Sequence, residues 1–169
     1  WTSDNTDSVD RMTMQKWFTY LRPTKAMRAW VTDINWYNSP MSLDFRFHVA
    51  MQGSLGVGGN LTKYSREDLE VGKKNVALYK EIRHLVQFGD LYRILDAQKD
   101  EILFNLYVSE DKTEAVAFLA SLTTSFMKKE IPLLFEGLDD NKVYTFNLNN
   151  RDYEKTGAYL KNVGIPVTI

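Results

Sequence analysis

The sequence predicts an α/β region followed by an all-β region: the last portion of a (β/α)8 barrel over residues 1–89, joined to an antiparallel β-sandwich over residues 90–169. Three observations point there. Short β-branched segments alternate with helical patterns as far as Gly89, and buried strands alternating with helices call for a parallel sheet covered by those helices. Only three strand positions and three helices occur in that stretch, too few to close the sheet, as in a barrel cut across its middle. From Gly89 onward the hydrophobic period changes to two and turn signals recur between short strands.

The elements follow in order. Met14, Trp17, Phe18 and Leu21 recur at the spacing of one helix face, and Pro23 stops that helix. Arg28 to Ile34 is short and β-branched enough for a buried strand, and the polar-aromatic stretch Asn35-Trp-Tyr-Asn-Ser-Pro40 follows it. A second helix runs from about Met41 to Gln52. Its Leu43, Phe45, Phe47, Val49 and Met51 surround much of the circumference, so it should be largely buried. Gly53 to Thr62 holds a third short strand and a loop. Ser65-Arg-Glu-Asp68 has the form of a capping box, and Leu69, Gly72, Val76, Tyr79, Ile82 and Val86 continue an apolar stripe to about Phe88. Downstream, Ile102–Val108 and Ala115–Leu119 flank the polar Ser109–Glu114 as a hairpin. Leu133–Phe135, the turn Gly137–Lys142 and Val143–Leu148 repeat the pattern, so the second half reads as strands only.

Composition narrows the function. The 169 residues carry 21 basic and 22 acidic side chains, a formal net charge of −1, which argues against nucleic acid or an anionic membrane held by bulk charge. No apolar run approaches the roughly 20 residues that cross a bilayer. With no Cys, disulfides, thiolate catalysis and Cys-ligated zinc are excluded together, and a reducing, cytoplasmic compartment is expected. His48 and His84 are the only histidines, so no metal site and no cofactor are expected, and a general acid or base would be a carboxylate. The chain opens on Trp1 with no Met, which suggests that its natural beginning lies upstream.

In a βα barrel, reacting residues lie where strands end and loops lead into helices. That rule selects Trp1-Thr-Ser-Asp4-Asn-Thr-Asp7, directly before the first helix, and Asp33 through Asn38. On spacing alone, helix capping is the favoured reading of the first segment. Asp33 and Trp36 pair a carboxylate with an aromatic platform, as sugar sites do, although a strand-end Asp beside a buried Trp is more often structural. His48 can pair with Asp44 one helical turn away, and His84 complements a helix end. The glycines from Gly53 to Gly59 match no phosphate-binding loop.

Five segments, in the same order along the chain, carry a resemblance: Trp1–Asp7, Arg46–Gly56, Leu85–Leu95, Val108–Glu114 and Leu160–Ile165. Together they resemble glycoside hydrolase family 36, the microbial α-galactosidases. The resemblance implies an N-terminal β-sandwich, a catalytic barrel and a C-terminal β-sandwich. On that frame Trp1–Asp7 ends strand six, Arg28–Ile34 is strand seven and Gly53–Thr62 contains strand eight. It further implies retaining hydrolysis of terminal α-galactosyl groups of melibiose- and raffinose-type sugars, with Asp4 as the acid/base; Trp1, Asp33 and Trp36 are substrate-binding candidates from their places at the strand ends, which the resemblance does not assign. The nucleophile of the family belongs to a Lys-x-Asp motif on an earlier strand. No such motif occurs here, so the chain alone is expected to be inactive. Family members often assemble as tetramers. Many carry Pro-Asn-His-Gln after strand seven, where this chain has Asn35–Pro40, so the pocket rim is expected to differ. Two other readings compete: a non-catalytic carbohydrate-binding or assembly module over residues 90–169, and galactosyl transfer of the raffinose-synthase kind.

Overall fold

The computed structural model describes residues 2–32, 41–100, 102–121, 130–148 and 150–168. The chain divides into two compact units, Trp1–Phe88 and Gly89–Ile169.

The first unit contains helix α1 (Ser8–Leu21), strand β1 (Arg28–Val31), helix α2 (Leu43–Ala50), strand β2 (Ser54–Val57) and helix α3 (Arg66–Phe88). β1 and β2 pair in parallel, with Arg28 opposite Ser54 and Val31 opposite Val57. A parallel pair cannot be joined by a hairpin, and α2 lies in the crossover between the two strands. Ala29 and Val31 point into the interior with Phe47, Val49 and Ala50 of α2, which are also buried.

α1 differs from the expectation in the face it buries. Trp17 and Leu21 are 58% and 80% exposed, whereas Ser8, Arg11, Met12 and Gln15 are buried. The physical reason lies in the partners that the polar side chains reach. Gln15 donates from Nε2 to the Val49 carbonyl of α2 (2.9 Å), and Arg11 donates to the Arg28 carbonyl of β1 (2.9 Å). A polar group supplied with such an acceptor can be buried without the large cost of an orphaned donor.

The other two helices follow their sequence signals more closely. Ser42 caps α2 by accepting from Phe45 N–H (3.2 Å), and Phe47, Val49 and Ala50 are its buried residues. The capping box of α3 is formed: Asp68 N–H donates to Ser65 Oγ (3.0 Å), and Ser65 N–H donates to Asp68 Oδ2 (3.2 Å). Tyr79 and Val86 of the expected stripe are buried, but Leu69 is 44% exposed and Asn75 is buried. Asn75 Nδ2 bonds Asp44 Oδ1 (2.8 Å) and the Val71 carbonyl (2.9 Å), which lets an amide occupy an interior position.

The second unit contains β3 (Asp90–Leu95), the single turn α4 (Ala97–Asp100), β4 (Ile102–Val108), β5 (Ala115–Ser121), β6 (Glu130–Leu133), β7 (Val143–Leu148), β8 (Arg151–Thr156), α5 (Gly157–Asn162) and β9 (Ile165–Thr168). β3, β4 and β5 form one antiparallel sheet, while β6 pairs with β9 and β7 with β8, both antiparallel. The expected Ile102–Val108 hairpin is present. The expectation of strands alone is corrected by α4 and α5. Thr156 Oγ1 caps α5 by accepting from Tyr159 N–H (3.2 Å), and Gly164 at φ +76 ends the turn, where a Cβ would overlap the Leu133 carbonyl. The core is apolar: Phe104, Leu106, Leu133, Leu160 and Ile165 are each at most 2% exposed, and Phe104 meets Phe135 edge-on at 5.2 Å. Among the described residues no helix is long and apolar enough to cross a membrane.

Candidate active site

Every polar residue from Thr2 to Asp7 except Asp4 has a structural task. Asp7, 3% exposed, is the N-cap of α1, its Oδ1 accepting from Val9 N–H (2.9 Å) and Asp10 N–H (3.2 Å). Asn5 Oδ1 accepts from Asp7 N–H (2.9 Å), and Asn5 Nδ2 donates to Asp10 Oδ2 (2.8 Å). Ser3 Oγ accepts from Asn5 N–H (3.1 Å), and Thr2 Oγ1 accepts from Arg11 (2.6 Å). The Asp4 side chain is exposed and bonds none of the described residues. Capping, which the spacing favoured for the whole segment, therefore belongs to its end and leaves Asp4 uncommitted.

Two ties fix the course of this segment relative to β1. At the end nearer α1, Thr6 Oγ1 and Thr32 Oγ1 lie 2.9 Å apart, joining the segment to the residue that follows β1. Arg46 of α2 donates to the carbonyl of the same Thr32. At the other end, Arg11 Nη1 donates to Thr2 Oγ1 and to the Ser3 carbonyl (3.3 Å), while Nη2 donates to the Arg28 carbonyl (2.9 Å) at the start of β1. The segment therefore runs beside β1 in the same direction and passes Asp4 toward the carboxyl end of the strand, where parallel α/β folds hold their ligands.

Arg11 is 2% exposed, and all of its acceptors are neutral oxygens. Burial pushes its pKa below the ordinary value, yet an arginine stays charged at neutral pH. A buried cation with no carboxylate beside it is costly, and each hydrogen bond from a charged donor returns only about 1.5–3 kcal/mol. Nε of Arg11 and Oδ2 of Asp7 are buried without a partner among the described residues. Sequence reading missed Arg11. The signal was the series Asp7, Arg11, Gln15 at successive turns of α1, a polar stripe on the face that turns inward.

Trp1, Asp33 and Trp36 lie outside the described residues. His48 is exposed, with Nε2 3.8 Å from Asp44 Oδ2, the pairing expected from the sequence. His84 is exposed near the end of α3. Among the described residues no three His, Asp or Glu side chains come together to hold a metal ion. In the second unit an open groove of about 400 Å³ is lined by Thr145, Phe146, Asn147, Asp152, Tyr153 and Glu154, where Phe146 and Tyr153 stack at 5.3 Å.

Parallel βα units followed by an antiparallel region define a chain of α/β plus all-β class, and comparison with known proteins specifies the family. The Melibiase family model matches residues 1–89, and the model of the glycosyl hydrolase family 36 C-terminal domain matches residues 104–168. The chain belongs to glycoside hydrolase family 36. It is 35% identical to alpha-galactosidase AgaA of Geobacillus stearothermophilus over 85% of this chain and 20% of that protein. It is 32% identical to alpha-galactosidase C of Emericella nidulans over 99% of this chain and 22% of that protein. A crystal structure of an AgaA variant in complex with raffinose superimposes with a TM-score of 0.90 at 31% identity, covering 99% of this chain and 23% of that one. The chain thus spans about a fifth of the length of the curated relatives it matches.

Proposed function

We propose that the chain forms the last portion of the catalytic barrel, residues 1–89, and the C-terminal β-sandwich, residues 90–169, of a retaining α-galactosidase, to which it contributes the acid/base Asp4. The observation that carries the reading is the contrast within one segment: its neighbours cap, clamp and bridge, while Asp4 presents a free carboxyl from a fixed backbone. The substrate class is the terminal α-galactosides of the melibiose and raffinose kind, supported by a relative crystallised with raffinose.

Retention takes two displacements by a pair of carboxyl groups about 5–5.5 Å apart. In the first, a carboxylate elsewhere in the whole enzyme attacks the anomeric carbon while protonated Asp4 gives its proton to the glycosidic oxygen, and the remaining sugar leaves as an alcohol. In the second, the Asp4 carboxylate takes a proton from water as the water oxygen attacks the same carbon, releasing galactose and the nucleophile. One carboxyl cannot perform both steps, so the 169-residue chain by itself is expected not to turn over an aryl α-galactoside.

The test is Asp4→Asn in the full-length enzyme. Hydrolysis of natural galactosides, whose leaving alcohols need a proton, should fall by about 10²–10⁴-fold, and the first step on an aryl galactoside with an acidic leaving group should fall far less. Equal loss on both would refute the acid role. The sugar-binding reading of the second unit is favoured only by the groove at Phe146 and Tyr153. Loss of galactoside binding on Tyr153→Ala, with hydrolysis unchanged, would support it.

A further inference from the structure

We infer that Arg11 is the positioning residue of the acid/base segment, a buried clamp that holds Thr2 and Ser3 against the start of β1 and thereby sets where the Asp4 carboxyl stands. The inference rests on the reading of Asp4 as acid/base given above.

The geometry distinguishes a clamp from an ordinary packed arginine. Arg11 belongs to α1, and its guanidinium joins two other pieces of the chain: Thr2 and Ser3, two residues and one residue before Asp4, and Arg28 at the start of β1. Its two terminal nitrogens point to different pieces, so the planar fork fixes the spacing between them, which a lysine ammonium on a flexible stem would not do. Thr6, on the other side of Asp4, is fixed to Thr32, so the segment is held at both ends with Asp4 between. No carboxylate among the described residues pairs with the guanidinium, and its acceptors among them are one hydroxyl and two carbonyls of the pieces it joins. A displacement of a proton donor by about 1 Å can cost on the order of 100-fold in rate, so the consequence of losing this spacing falls on proton transfer.

The experiment uses the full-length enzyme with Thr2→Val, Arg11→Lys and, as control, Asp4→Asn. Each variant is assayed on a natural galactoside and on aryl α-galactosides of graded leaving-group acidity, alongside its thermal unfolding midpoint. Thr2→Val removes only the 2.6 Å acceptor and leaves the guanidinium in place. It should lower kcat/KM on the natural galactoside by about 10-fold and hardly affect the most activated aryl substrate. Arg11→Lys should show the same leaving-group slope at about 100-fold, with the alkaline limb of its pH profile displaced. If Arg11→Lys fails to fold, Thr2→Val decides. A loss uniform across leaving groups, or none, in folded variants while Asp4→Asn keeps its slope would overturn the clamp. A flat response of Asp4→Asn would instead overturn the reading beneath it.

Discussion

The two units bury different things. In the first, Thr6, Asp7, Ser8, Arg11, Gln15, Thr24, Gln52 and Asn75 are all buried, whereas among the described residues of the second the only buried side chain with a polar atom is Tyr107. The second unit is held by an apolar core in which Phe104, Leu106 and Leu133 are almost wholly enclosed. Apolar burial is strong but non-directional. Hydrogen bonds between buried side chains and backbone carbonyls contribute less net stability and fix direction. The unit that carries the candidate site is therefore the one whose interior specifies positions: Gln15 fixes α1 on α2, Thr24 Oγ1 donates to the Val86 carbonyl (2.6 Å), and Arg11 holds the segment of Asp4.

This contrast can be broken at several points, the largest effect first. Asp4→Asn should cost the full-length enzyme about 10²–10⁴-fold on natural galactosides. It should leave the unfolding midpoint almost unchanged, since an exposed side chain without partners contributes within about 0.5 kcal/mol to stability. Phe104→Ala should do the reverse, destabilising the second unit by about 3–5 kcal/mol in denaturant titrations. Its leaving-group dependence should match the parent. Gln15→Met keeps the volume but removes the Gln15 bond to the Val49 carbonyl, which retains the bond from Gln52 N–H (3.3 Å), at about 0.5–1.5 kcal/mol. A neutral result there would remove the directional role assigned to the polar stripe.

The smallest effect concerns pH. The carboxyl of Asp111, fully exposed in the β4–β5 connection, is held down at about 2 by bonds from the Thr113 hydroxyl, the Ser109 hydroxyl and the Thr113 N–H, helped by the charge of Lys142. The folded value is depressed below the ordinary 3.8, so the stabilisation is present above that value and is lost as pH falls toward about 2. The protection factor of the Thr113 amide, its exchange relative to the free peptide at the same pH, should fall across that window, and Asp111→Asn should remove the fall.

Legibility in the sequence differed in the same way between the units. A near-continuous apolar run marked β4 because it is buried on both faces, the hairpin connection marked β5 beside it, and the Ser65–Asp68 capping box marked the start of α3 because it is a local side-chain bond. β8 escaped notice. Its sequence Arg-Asp-Tyr-Glu-Lys-Thr holds two half-buried residues, Tyr153 and Lys155, only one of them apolar, and the strand exists through backbone pairing with β7. α1 was legible as a helix and illegible in orientation. Its apolar stripe at Trp17 and Leu21 is exposed, while its inward face makes bonds to residues 17 and 34 positions away, which no local pattern encodes. Asp4 was singled out by resemblance to a family motif. What spacing alone could not separate, the capping Asp7 from the free Asp4, becomes distinct once hydrogen bonds are assigned.

The most direct test is azide capture by the Asp4→Asn full-length enzyme during turnover of an activated aryl α-galactoside. If Asp4 is the acid/base, the galactosyl-enzyme still forms and waits for a water that nothing deprotonates. Azide, needing no base, should attack the anomeric carbon, restore turnover and yield α-galactosyl azide with the configuration retained. Formation of β-galactosyl azide, with azide standing in for a missing nucleophile, would contradict this, as would no acceleration at all.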